Sequence, residues 1–144
     1  QGGPVIQEGE NLFLEEVPSN SRSSILNGWV FSLFGLYDFW LAFSDEKAWD
    51  FFQHSLKTLK RHLSEYDTGY WSYYDLRGHL ASPFYHDLHI SQLTALFMVD
   101  GDPAVAKQYE RWIGYRTRWS NRVKAFIIKV VQKLREPGKV VIIK

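Results

Sequence analysis

The 144 residues contain no cysteine, so neither a disulfide framework nor a thiolate zinc site exists. A membrane-spanning run is also missing. The most apolar stretch, residues 24–43, is interrupted by Asn27, Ser32 and Asp38 and falls short of the roughly 18 uninterrupted apolar residues of a spanning helix. No signal-peptide layout opens the chain. It starts at Gln1 and not Met, and the expectation is that an N-terminal part is missing or processed away. No convincing internal repeat is present. Nothing in these absences fixes a compartment.

What is there is aromatic and unevenly charged. Aromatic residues make up 17 % of the chain, with six Trp and eight Tyr; such rings serve as core payload or as stacking platforms for sugars and bases. The net charge is only +1. Yet residues 1–106 carry six Lys/Arg against fourteen Asp/Glu, a balance of −8, and residues 107–144 carry eleven against two, a balance of +9. A basic segment beside an acidic body suits contact with a polyanion: nucleic acid, acidic polysaccharide or anionic lipid. A solvated helical face explains it equally well.

The patterning predicts a mainly α-helical chain. Residues 1–20 read as an extended segment, with PVIQEGENLFLEE forming two short strands around Gly9 and a loop at residues 18–21. Residues 24–43 are apolar nearly all round, the mark of a helix buried on most sides. Ser44 supplies an N-cap, and residues 45–65 follow as an amphipathic helix with Ala48, Phe52, Leu56, Leu59 and Leu63 on one face. A loop over residues 66–84 comes next. Residues 86–99 are again apolar, and Gly101-Asp102-Pro103 is a break with Asp102 as N-cap and Pro103 at the first helical position. Residues 104–115 are again amphipathic. A last helix over residues 121–134 places Val123, Phe126, Ile127, Val130, Val131 and Leu134 on one face, and residues 139–144 read as a strand. Inner helix, outer helix, loop, inner helix, outer helix is the pattern of a double-layered α/α hairpin array, a partial α/α toroid. A closed ring needs more helices than five. The remainder of a longer chain, or a homodimer partner, is therefore expected to complete it.

Certain motifs carry more than architecture. The sequence shows Leu26-Asn27-Gly28, SLFGLYD at residues 32–38, YDTG at 66–69, YDLR at 74–77, Tyr85-His86, and HISQL at 89–93, in that order. In that combination it resembles the C-terminal domain of the D-glucuronyl C5-epimerases, over about residues 13–116. The resemblance implies an α/α domain of a longer enzyme that inverts C5 of glucuronate in a heparosan-like acidic polysaccharide, with no cofactor. It places Tyr74 and Tyr85 in the active site and makes Arg77 the natural carboxylate binder. The family also has a glutamate–tyrosine pair in an EEYP-like context. Here the run is Glu15-Glu16-Val17-Pro18, so Glu16 matches and Val17 departs.

The chemistry makes sense of these residue types. Inverting C5 of a uronate needs one group to take a proton, another to return one from the opposite face, and a cation to offset enolate charge. Tyrosine acts as a base only where cations favour tyrosinate; Arg77, His86 and His89 are the possible sources. The site expectation is therefore Tyr74, Tyr85 and Glu16 as catalytic groups, with Arg77, His86, His89, Asn27 and Tyr73 as substrate contacts. Bland readings stand beside it. Asn27-Gly28 suits close helix packing, His86 and His89 suit helix-end hydrogen bonding, and Asp67 and Asp75 suit loop fixing. His86 and His89 lack a third ligand, so no metal is expected. The rival functions are a polysaccharide lyase sharing the C5 proton abstraction, and a non-catalytic module binding anionic glycans. Nucleic-acid binding rests on the basic C-terminus alone and is not expected.

Overall fold

A computed structural model describes residues 4–16 and 22–135. The expected loop at residues 18–21, Val17 and the expected strand at residues 139–144 lie outside the described residues. Val5–Glu8 (β1) and Asn11–Leu14 (β2) form an antiparallel hairpin, Val5 opposite Leu14 and Glu8 opposite Asn11. Gly9 opens the two-residue turn at φ +59°, a backbone region where glycine carries no Cβ penalty. The hairpin lies on the second helix, where the Leu12 N–H donates to Thr58 Oγ1 at 2.9 Å.

Five helices follow: Leu26–Phe43 (α1), Glu46–His62 (α2, continued by a 3-10 turn at Leu63–Tyr66), Pro83–Asp100 (α3), Pro103–Thr117 (α4) and Trp119–Arg135 (α5). Local chemistry sets their ends. Asp45 caps α2 by accepting from the Ala48 N–H at 2.8 Å; the expected cap, Ser44, instead ends α1 in the left-handed region at φ +51°. Asp102 caps α4 by accepting from the Ala104 N–H at 2.8 Å. Ser82 caps α3, ahead of Pro83 at its first position, where a missing N–H costs nothing. Gly101 ends α3 at φ +70°, the left-handed cap that glycine tolerates.

The packing is that of two helical hairpins. α1 packs on α2, α3 packs on α4, and the two inner helices α1 and α3 meet. Lys60 joins the hairpins across their far end, with its ammonium 3.1 Å from Asp100 and 2.9 Å from Asp102. The main core gathers Trp29 and Leu33 of α1, Phe52, Leu56 and Leu59 of α2, Leu93 and Leu96 of α3, and Trp112 of α4. The whole expected α2 face, Ala48 to Leu63, is buried.

Two expectations are corrected. α1 is buried only along its first turns, from Leu26 to Leu33; beyond them Phe39, Leu41 and Phe43 are exposed. With α2 and α3 on one side, its remaining flank has no helix to meet among the described residues. The second correction is larger. The apolar stripe of α5 faces solvent, and only Ala125 of this helix is buried.

Candidate active site

The segment between α2 and α3 holds no long helix, yet it is tied down by its own side chains. The Asp67 carboxylate accepts from the Gly69 N–H at 2.7 Å, from Gln108 Nε2 at 2.7 Å and from the Tyr115 hydroxyl at 3.1 Å. That anchors the loop to α4. Asp75 accepts from the backbone N–H groups of Arg77 and His79, each at 3.1 Å, and its other oxygen lies 2.6 Å from His79 Nδ1. Both aspartates are loop-fixing acceptors, as expected for a side chain that can imitate a backbone turn. Trp71 is fully buried; its indole N–H donates to the Ala81 carbonyl at 3.1 Å, and its ring stacks on His86 with centroids 3.7 Å apart.

Loop, α1 and α3 converge at Tyr74. Its carbonyl accepts from the Leu26 N–H at 3.0 Å, so the loop caps the first turn of α1; the Leu76 N–H returns to the Ser23 carbonyl at 3.1 Å. Tyr85 sits in the first turn of α3. The rings of Tyr74 and Tyr85 meet edge to face, centroids 4.8 Å apart. Glu16 lies beside them, folded over the first turn of α1. Lys129 of α5 closes the group, its ammonium 6.0 Å from the Tyr74 ring centroid and donating to the Leu80 carbonyl at 2.6 Å.

The electrostatics fix protonation. Burial pushes the Tyr74 hydroxyl up to about 12, with Tyr85, Glu16 and Asp75 adding to the rise. Tyr74 is therefore a proton-bearing phenol at neutral pH. Burial lowers the Lys129 ammonium below the usual lysine range, and the Asp75 charge opposes that.

Residues 1–114 match the family model described as the D-glucuronyl C5-epimerase C-terminus. The chain belongs to that family. It is 33 % identical over 124 residues to a D-glucuronyl C5-epimerase of Caenorhabditis elegans, covering 73 % of this chain and 20 % of that protein. It is also 33 % identical over 97 residues to an uncharacterized protein of Methanocaldococcus jannaschii, covering 67 % of this chain and 32 % of that protein. The chain thus spans between a fifth and a third of the length of these two relatives.

Within this epimerase-family domain the expected site residues separate. Tyr74 and Tyr85 are in ring contact, and the Glu16 charge is near enough to raise the Tyr74 hydroxyl. Tyr73 is half-buried and packs between the main core and the smaller cluster around Trp71 and Leu80. Arg77 is exposed, and its Nε donates to the Arg22 carbonyl at 3.2 Å. Asn27 is buried, its carbonyl accepting from Gln92 Nε2 at 3.0 Å. His86 and His89 are corrected as substrate contacts and as cations. Both are fully buried. Burial lowers His86 to about 4 and His89 to about 3, so both rings are neutral at pH 7. Among the described residues no group of three His, Asp or Glu side chains is arranged to hold a metal ion.

Three groups escaped the sequence reading. Glu15 is buried and accepts from the Ser23 hydroxyl at 2.6 Å and the Ser24 N–H at 2.9 Å. It thereby shapes the approach to α1, where Ser24 adopts φ +48°. Ser72 links the two histidines. Lys129 is marked in the sequence only as one cation on a helix flank, and tertiary packing alone brings it to Tyr74.

Gly28 has a specific role here, different from close packing of helices. A Cβ on Gly28 would lie 2.5 Å from Glu16 Oε2 and 2.7 Å from Glu16 Cβ. The second contact is next to the backbone and cannot swing away. In an open helix Gly→Ala stabilises by roughly 0.5–1 kcal/mol. Gly28→Ala should instead destabilise the domain by about 1–3 kcal/mol, the usual cost of overpacking. A raised melting temperature in thermal unfolding would show that Glu16 does not occupy this position.

Proposed function

We propose that this domain carries proton-transfer groups of a polysaccharide uronate C5-epimerase. The observation that carries the reading is the ring contact of Tyr74 with Tyr85, in the first turn of α3, with the Glu16 charge acting on Tyr74. Family membership supports it. In this reading the five helices form an arc of an α/α toroid, completed by more of the chain or by a second copy.

The chemistry assigns roles by protonation state. Glu16 takes the C5 proton onto a carboxylate oxygen. The released electron pair delocalises into the C6 carboxylate as an enolate, and the Lys129 ammonium offsets the charge. Tyr74, held protonated, returns a proton to C5 from the other face. Tyr85, whose ring packs edge to face on Tyr74, passes solvent protons back to it. Tyr74 as acid replaces the expectation of a tyrosinate base, because the charges around it are mostly negative. The positive ends of two helices favour an anionic sugar at the same place.

The test is incubation of the protein with heparosan-like glucuronate polymer in heavy water, read by NMR and by ultraviolet absorbance. Deuterium at C5 with both epimers and intact chains is expected. Unsaturated, ultraviolet-absorbing ends would show a lyase instead, and polymer binding without exchange would show a glycan-binding module.

A further inference from the structure

The outward stripe of α5 is the feature that the active-site reading leaves unused. α5 attaches to the domain by one side. Ala125 is buried there and Ile128 packs on the cluster around Trp71. Gln132 accepts from the Leu80 N–H at 3.0 Å and donates to the Gly78 carbonyl at 3.1 Å. At about 3.6 residues per turn, the opposite side is made of Trp119, Val123, Phe126, Ile127, Val130 and Leu134. Trp119 is 77 % and Leu134 76 % exposed. A groove of about 370 Å³ runs between Trp119, Val123, Ile127 and Ile128.

The charges are placed as specifically as the apolar groups. Residues 119–135 contain five Lys/Arg and no Asp or Glu. Helical geometry puts Arg122 and Lys133 on one flank of the stripe and Arg135 on the other, where Lys124 turns back over the Tyr70 ring, its ammonium 3.8 Å from the centroid. An apolar crest between two basic flanks is the layout of a helix lying in a membrane interface. We infer that α5 docks this domain onto an anionic lipid surface, crest among the acyl chains and flanks among the headgroups. α5 lies beyond the residues matched to the family model. It is not a span: no described helix is long and apolar enough to cross a membrane.

The same geometry argues against other occupants. A nucleic acid or acidic polysaccharide needs cations at the crest, and here the crest is hydrocarbon. Two copies pairing through this stripe would bring four rows of cations together with no carboxylate on either helix to answer them.

The test is flotation of the full chain with vesicles of phosphatidylcholine mixed with phosphatidylserine, against phosphatidylcholine alone. Binding to the mixed vesicles, weakening as salt rises, is expected. Phe126→Glu with Ile127→Glu should weaken it at least about tenfold, because two apolar anchors are lost. Both side chains are already exposed, so melting should be unchanged. Arg122→Gln, Lys133→Gln and Arg135→Gln should each weaken binding about fivefold. The proposal is overturned if the two vesicle types bind alike, or if the Phe126/Ile127 variant binds undiminished. It is also overturned if light scattering shows a dimer that this variant abolishes, with no vesicle binding by the parent chain.

Discussion

Tyr74→Phe should lower C5 hydrogen exchange in the active protein by about two to four orders of magnitude, the range of a single positioned acid or base. The change removes one hydroxyl and keeps the ring. The ring's packing on Tyr85 and the Tyr74 backbone bonds to Leu26 and His79 do not involve that hydroxyl. Melting temperature and polymer affinity should therefore stay close to those of the parent. Tyr85→Phe removes the hydroxyl next to Tyr74 and should also reduce exchange, by less if it only relays protons. Lys129→Gln should slow exchange as well, since charge builds on the substrate carboxylate in the transition state. Tyr73→Phe is the control, because Tyr73 packs in the core and its ring survives the change. If Tyr74→Phe and Tyr85→Phe both exchange at the full rate, these tyrosines are packing residues and the proposed function fails. It fails equally if the loss of exchange comes with a large drop in melting temperature.

What the sequence revealed depended on how local the cause was. The α2 face could be read because its periodicity repeats along the whole helix, and α1 and the hairpin cover it. The cap at Asp102 follows from side-chain reach within three residues, and the hairpin follows from Gly9; the sequence pattern puts the cap of α2 one residue early, at Ser44 in place of Asp45. The α5 stripe had the same periodicity as α2 and the opposite orientation. Apolar periodicity says that a helix has two unlike sides, not which side meets the domain. Here Gln132 and Ile128 hold the polar-looking side against the Leu80 strip, and the stripe is left outside. The site divided in the same way. Tyr74 and Tyr85 could be found through motif resemblance. Tyr74 lies more than fifty positions from both Glu16 and Lys129, whose charges reach it in the fold, and no local pattern encodes that. His86 and His89 misled because ionisable side chains near a helix start look like site residues, and burial decides the matter.

That burial has a consequence for stability. The His86 Nε2 lies 3.2 Å from the Trp112 carbonyl, which can only accept, so Nε2 carries the proton. A neutral His86 then presents a bare Nδ1, which accepts from the Ser72 hydroxyl at 2.8 Å. Ser72 has spent its one proton, so its oxygen accepts from His89 Nδ1 at 3.1 Å. The chain of donors leaves His89 Nε2 bare, and it has no partner among the described residues. Adding a proton to either ring breaks this order. On His86 it would set two donors against Ser72, and on His89 it would bury an unanswered charge. Asp87 and Asp67 pull His86 toward protonation, but burial outweighs them.

Both rings have folded-state values, about 4 and about 3, below the ordinary 6.5. The unfolded chain therefore binds more protons in between. The stabilisation is complete above pH 6.5 and is lost as the pH falls toward 4. At about 1.4 kcal/mol per pKa unit, the two rings together remove on the order of 6 kcal/mol by pH 4. That rivals the whole stability of a small domain, about 5–15 kcal/mol. The domain should therefore unfold between pH 5 and 4 in urea concentrations that leave it folded at pH 7. His89→Asn keeps a donor near the Nδ1 position and cannot titrate. It should lower stability at pH 7 through lost packing with Trp112, yet flatten its decline below pH 6. Equal slopes for parent and variant would mean that acid does not act through the histidine pair.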